Sequence, residues 1–252
     1  MSKNFELLQK LGKEQELLGP IDREPREFAE TVPPSAVPSS EGVTQPGLEE
    51  INGLAQQIFL ASGADTPRIV VFASTEPGSG CSWVCTHLGE VLASHVAGSV
   101  CLVDANLRDP SLHQYFGCEN DTGMSEALVQ LDPIRTFVRP LSTPNLCLIS
   151  TGSRREEAQS LLSSDRMRLR ITELRKEFDY VLIDTAAMSI CNDAIGVGCM
   201  SDGVVMVLKA NASRRESARQ AIQDLQSGKA KVLGAVLNQR TFPIPDSIYR
   251  NL

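Results

Sequence analysis

No stretch of this sequence approaches the roughly 20 consecutive apolar residues needed to cross a bilayer, so contact with a membrane is expected only through a partner. A signal peptide is not expected either, because residues 1–19 are rich in lysine and glutamate. Basic charge is in short supply: 24 Lys and Arg stand against 31 Asp and Glu, a formal net charge of -7. That balance argues against a nucleic-acid groove as the main function. Metal-ligand spacing is also missing. The 7 cysteines (Cys81, Cys85, Cys101, Cys118, Cys147, Cys191 and Cys199) contain no C-x-x-C pair. An odd set of thiols without such a pair points to reduced cysteines and a cytoplasmic location. His87, His95 and His113 have no acidic or thiol partner at metal-ligand spacing and read as structural or surface residues. No internal repeat is apparent.

What remains fits one α/β domain with a tail. The 252 residues are 42% hydrophobic and 22% charged, an ordinary globular composition with enough chain for a substantial core. Residues 1–19 carry Phe5, Leu7, Leu8 and Leu11 at helical spacing, which predicts an N-terminal helix, either folded on the domain or docking a partner. Residues 20–46 hold Pro20, Pro25, Pro33, Pro34, Pro38 and Pro46 and read as a flexible linker. The domain is expected over 47–242, followed by a tail over 243–252. Within the domain, apolar runs predict strands at 68–73, 99–104, 145–150, 180–184, 203–208 and 232–238. Helices are expected at 48–61, 82–95, 164–177 and 214–225. In the third of these, Met167, Leu169, Ile171 and Leu174 are the apolar residues. Apolar strands alternating with helices imply a doubly wound, mostly parallel sheet with helices on both faces. Such sheets bind ligands at the carboxyl ends of their strands. Here those ends carry a Gly-rich turn, Asp104, Asp184 and Asn238.

The turn is Thr75-Glu-Pro-Gly-Ser-Gly-Cys-Ser82. It follows a strand and opens a helix, the context of a phosphate-binding loop. Gly78 and Gly80 let successive N–H groups converge on an anion, and the helix N-terminus adds its positive end. Ser82 stands where the hydroxyl of such a loop holds Mg²⁺. The lysine expected directly after the second glycine is replaced by Cys81. A charge-assisted hydrogen bond contributes roughly 1.5–3 kcal/mol, so its loss weakens phosphate binding on the order of 10- to 100-fold. Cys81 also opens a helix, a place where thiols can be acidic, but it reads here as a small neutral filler. Arg154-Arg155-Glu156-Glu157 reads as a solvated face, and Trp83 as core or interface.

Further motifs carry a family resemblance. The segment from Val100 to His113, V-C-L-V-D-A-N-L-R-D-P-S-L-H, is similar to the second phosphate-site motif of the bacterial tyrosine kinases of capsule and exopolysaccharide assembly, D-x-D-L-R-x-P-x-L-H after an apolar strand. Tyr115-Phe-Gly117 and Gly123-Met-Ser-Glu-Ala-Leu128 continue in the same order. Phe178-Asp-Tyr-Val-Leu-Ile-Asp-Thr185 resembles the third motif, and 146–152, 161–165 and 234–238 match by spacing. The resemblance spans roughly residues 47–240. It implies a P-loop NTPase-like fold with ATP or ADP and Mg²⁺ as cofactors. Phosphates would be held by Gly78, Ser79, Gly80, Cys81 and Ser82, and the base would lie near Asn238. Mg²⁺ would be held by Ser82, Asp104 and Asp184, the last two also forming the catalytic acidic pair. The implied partners are a membrane-embedded chain-length determinant, a polysaccharide co-polymerase, or a true tyrosine kinase, with a homo-oligomer as a further implication. The location would be cytoplasmic, at the inner membrane through that partner.

The departures fall on functional positions. Besides Cys81, Asn106 replaces a carboxylate, and an amide cannot take up the proton of an attacking tyrosine. Ala186-Ala187 replaces a Pro pair, Asn52 and Ala55 replace two arginines of an assembly helix, and Tyr249 stands alone where the family has a tyrosine cluster. The expectation is a catalytically impaired, kinase-like regulatory or scaffold protein of exopolysaccharide or capsule biosynthesis, with Asp104 and Asp184 as vestiges. An active autokinase or weak ATPase of that pathway, and a positioning ATPase of the septum or plasmid type, are the alternatives.

Overall fold

Strands that are apolar along their whole length have two faces to cover, and the computed structural model shows how they are covered. It describes residues 45–60, 66–153 and 156–239. The expected helix over 1–19, most of the linker and the tail with Tyr249 lie outside the described residues.

The strands are β1 Ile69–Ser74, β2 Val100–Asp104, β3 Arg139–Pro140, β4 Leu146–Ile149, β5 Tyr180–Asp184, β6 Gly203–Lys209 and β7 Val232–Asn238. They form one sheet in the order β3-β4-β2-β5-β1-β6-β7. All pairings are parallel except β3 with β4. All six expected strands are present; β3 is an addition, a two-residue antiparallel edge. The order reverses on either side of β1, between β5 and β6, which is where an open sheet leaves a crevice at its carboxyl edge.

Each face has its own core. One packs Val70, Phe72, Val100, Leu102, Leu182 and Val205 against α1 Gln45–Ala55 and α2 Cys81–His95. The last turns of α1 continue as a π-helical segment, Gln56–Leu60, which buries Phe59. The helix begins at Gln45, inside the segment expected to be linker; Pro46 sits in its first turn, where its missing N–H costs nothing. Gly89 lets α2 lie close on β2, since a Cβ there would stand 2.6 Å from Leu102 Cδ2.

Between β2 and β3 come α3 Leu112–Tyr115, α4 Met124–Val129 and a 3₁₀ turn at Ile134–Phe137. Then follow α5 Glu156–Leu161, α6 Asp165–Glu177, α7 Asp193–Gly198 and α8 Arg215–Ser227. The second core packs Val71, Val103, Ile149, Ile183 and Met206 against residues of α4 to α8. Burying a side chain the size of Phe72 is a large contribution, since truncating such a residue to Ala costs about 3–5 kcal/mol.

Candidate functional site

Because β1, β2, β5, β6 and β7 run parallel, their carboxyl ends share one rim. The loop after β1 meets it first. Gly78 and Gly80 have φ of 75° and 80°, the left-handed region that a side chain disfavours. Gly80 is fixed a second way: a Cβ there would lie 2.2 Å from Asn238 Nδ2. Ser79 donates its hydroxyl to the Glu76 carbonyl at 2.6 Å. Gly80 then serves as N-cap of α2, so Cys81 and Ser82 are its first residues.

Asp104 and Asp184 end adjacent strands and are register partners. Both are wholly buried. Asp104 is well supplied: Oδ1 accepts the Asn106 N–H at 3.1 Å, and Oδ2 accepts those of Ser111 and Leu112, each at 3.1 Å. By lone-pair count only Oδ1 has capacity to spare. Asp184 Oδ2 accepts the Ser82 hydroxyl at 2.5 Å, while Oδ1 has no partner at all. Burial pushes both carboxyls up from the usual range, and for Asp184 the neighbouring Asp104 charge pushes further. The N–H donors on Asp104 and the Ser82 hydroxyl on Asp184 oppose this without overcoming it.

Cys81 is buried, with its thiol close enough to Asp184 for each group to shift the other. Burial first, then the Asp184 charge and Cys85, hold it well above a usual thiol. The helix N-terminus does not acidify it; Cys81 is a neutral filler against the carboxylate. Asn106 is consumed by its own turn, its Nδ2 donating to the Asp109 carbonyl at 2.8 Å and its Oδ1 accepting the Asp109 N–H at 3.1 Å. Ala186 and Ala187 are buried beyond β5, and the next N–H groups, of Met188 and Ser189, bond the Ser74 and Thr75 carbonyls at 2.8 and 3.1 Å. Of the two positions read as lost arginines, Ala55 is buried and Asn52 is half-buried. Trp83 is half-buried on α2, edge-on to His87 with ring centroids 4.4 Å apart.

Asn238, at the end of β7, donates to the Ser79 carbonyl at 3.0 Å, so it touches the loop itself. Three contributors were given no site role from sequence. Gln239 Nε2 donates to the Gly78 carbonyl at 3.3 Å. Thr151 reaches the Asp104 carbonyl at 3.5 Å. Tyr115, at the end of α3, lies near enough to Asp184 that burial and then that charge raise its phenol. Tyr115 and Thr151 lie in segments that match the family by order and spacing, but their place beside the acidic pair, like that of Gln239 on the loop, comes from the sheet order.

The residues fit a nucleotide phosphate with Mg²⁺. Among the described residues, the N–H groups of Gly78 to Trp83 donate to no acceptor. They form a cradle with unspent donors. The orphaned Asp184 Oδ1 beside the Ser82 hydroxyl is an oxygen pair of the type Mg²⁺ accepts. No three His, Cys, Asp or Glu side chains converge as a cage among the described residues. Mg²⁺ does not need one, because it takes one or two carboxylates and fills its shell from phosphate and water.

Fold, glycine loop and acidic strand ends together define a P-loop NTPase domain. Residues 68–210 match the family model described as ATPase MipZ. The chain is 30% identical over 190 residues to the tyrosine-protein kinase YwqD of Bacillus subtilis, covering 75% of this chain and 80% of that one. It is 31% identical over 193 residues to the putative tyrosine-protein kinase EpsB of Ralstonia nicotianae, covering 77% of this chain but only 26% of that longer protein. Among solved structures, the chimerical protein CapA2B2 superposes with a TM-score of 0.72 at 22% identity, covering 81% of this chain and 88% of that one. The septum site-determining protein MinD of Pyrococcus horikoshii, complexed with Mg-ADP, gives 0.59 at 18% identity over 73% and 76% of the two chains. This chain belongs to the bacterial tyrosine-kinase family of P-loop domains.

Proposed function

We propose that this chain is a kinase-like regulatory subunit of capsule or exopolysaccharide assembly, one that keeps the nucleotide cradle and has lost phosphoryl transfer. The observation that carries this reading is the residue in the lysine's place. Cys81 is a buried neutral thiol near Asp184, so among the described residues the lysine's position brings no cation to the loop, Asp104 and Asp184. Charge spreads over the moving phosphoryl group in the transition state, and a loop without its lysine stabilises that charge poorly. Asn106, bound into its turn, offers no proton acceptor. What is left suits holding ADP or ATP with Mg²⁺. Gly78, Ser79, Gly80, Cys81 and Ser82 offer N–H groups, Ser82 and Asp184 offer oxygens, and Asp104 adds charge and one lone pair. MinD, of related fold, is a Mg-ADP complex. The partners we propose are a membrane-embedded chain-length protein or a true tyrosine kinase. No helix among the described residues is long and apolar enough to cross a membrane.

Calorimetry with Mg-ADP and Mg-ATP, joined to transfer of labelled γ-phosphate, tests this. Binding by the natural chain without label on the protein, and binding about 10- to 100-fold tighter in Cys81→Lys, is the expected result. Label on the natural chain that disappears in Asp184→Ala refutes the regulatory reading. It would establish a weak autokinase instead, which the Ser82–Asp184 pair favours. A positioning ATPase draws support from the MipZ match, and nucleotide-dependent dimerisation would be its signature.

A further inference from the structure

The loop's carbonyl oxygens are treated differently from its N–H groups. The Glu76 carbonyl accepts the hydroxyls of Ser74 at 3.2 Å and Ser79 at 2.6 Å. The Gly80 carbonyl accepts the Val84 N–H at 3.0 Å, as the first turn of α2 requires. Of the three carbonyls between them, those of Gly78 and Ser79 take their donors from the residues at the end of β7. Gln239 Nε2 reaches the first at 3.3 Å and Asn238 Nδ2 the second at 3.0 Å. Carbonyls held from outside leave the N–H groups turned inward, which is the polarity an anion needs.

Two backbone features show that this contact is built in. Gln239 has φ of 57°, a conformation that a non-glycine residue holds only where its surroundings over-determine it. Gly80 has no room for a Cβ because Asn238 Nδ2 occupies that space. A lysine directly after Gly80 would bring three N–H donors to the loop, and here that position holds a buried thiol.

We propose that Asn238 and Gln239 are positioning residues, an amide clamp that holds the phosphate loop in its open form in place of the missing lysine. The clamp supplies shape without charge. The loop is therefore preorganised for phosphate yet adds nothing against the negative charge of a terminal phosphate, and discrimination between ATP and ADP is small. The benefit to binding rests on the nucleotide reading above, but the clamp itself can be tested with no nucleotide present.

The test is backbone ¹⁵N relaxation on the full chain, ligand-free. Natural loop amides at Gly78, Ser79 and Gly80 should be as ordered as those of β1, with order parameters near about 0.85. In the double variant Asn238→Ala/Gln239→Ala they should fall below about 0.6 while β1 and β5 stay unchanged. Adding Cys81→Lys to that variant should restore the order. Leu237→Ala, an exposed neighbour on the same strand, should leave the loop unaffected. A loop that stays ordered in the double variant overturns the clamp, and so does a natural loop already disordered. Should the double variant not fold, Gln239→Gly removes one amide and relieves the strained φ. Loosening confined to Gly78 then supports the clamp, and no loosening overturns it. With Mg-ADP added, the double variant should bind about tenfold more weakly. If the natural chain binds no nucleotide, the functional reading fails while the relaxation result still decides the clamp.

Discussion

Asp104 and Asp184 end neighbouring strands in the same buried setting, but their partners differ, and the difference predicts opposite mutational effects. Asp104 satisfies three backbone N–H groups. Asp104→Ala strands them, at about 1–3 kcal/mol for each donor left buried without a partner. Asp184 keeps one oxygen with no partner and faces a second carboxylate. In chelated, Mg²⁺-free buffer, Asp184→Asn should be neutral or stabilising, since it removes a desolvated charge. The pH dependence has a definite sign. A carboxyl raised in the folded state contributes stability that is fully present below its unfolded value and is lost as pH rises through the raised one. Burial, and then Asp104, raise Asp184. Denaturant midpoints of the natural chain should therefore fall as pH rises above the ordinary carboxylate range, and the slope should flatten in Asp184→Asn. A slope unchanged by that substitution would remove Asp184 as its source.

Among the elements, the long ones could be read from sequence and the short ones could not, for physical reasons. A strand buried on both faces is apolar throughout, which is why β1, β2 and β6 stand out. A helix of four to six residues, such as α3 or α4, holds too few turns for a period of 3.6 to register. β3 is two residues long and contains Pro140, which fits an edge and nothing else. In α6 apolar character and burial part company at one position. Leu169 is 59% exposed, while Arg170 is buried at 3%. Its guanidinium donates to the Ala127, Asp132 and Gln130 carbonyls at 2.7, 2.8 and 2.8 Å, and to Glu173 at 2.7 Å. Arg170 thus closes the carboxyl end of α4, a role that its place in the sequence does not announce. Arg170→Ala takes the donor from those carbonyls and one of two donors from the half-exposed Glu173, and should cost about 1–3 kcal/mol for each acceptor left buried. Arg170→Lys should recover little, because one ammonium cannot fork to three separate carbonyls. Urea melts of both variants check this, and near-natural stability in Arg170→Ala would mean that water replaces the guanidinium.

For the whole molecule, the candidate site was legible wherever it coincides with strand ends and hidden wherever it depends on which strands are neighbours. Ser82, Asp104 and Asp184 follow from the rule that ligands meet carboxyl ends, and they do converge. The contact of Gln239 with Gly78 spans 161 residues and exists only because β6 places β7 beside the loop. A sequence read in segments contains no trace of it. On the proposed reading, the same separation lets this chain keep the groups that hold phosphate while lacking those that move it. The sheet and its two cores fix the cradle, and the transfer groups are single side chains set on it. If the cradle is intact, nucleotide should act as a stabiliser of the whole domain. At 100 times its dissociation constant, Mg-ADP adds about 2.7 kcal/mol. At roughly 2–4 °C for each kcal/mol in a domain of this size, that is a rise of about 5–11 °C in Tm. Calorimetric melts with ADP, with and without Mg²⁺, measure it. Asp184→Ala should abolish the part that depends on Mg²⁺ and keep the part due to the loop's N–H groups, whereas a Tm that no concentration of ADP can move would mean a cradle kept for shape alone.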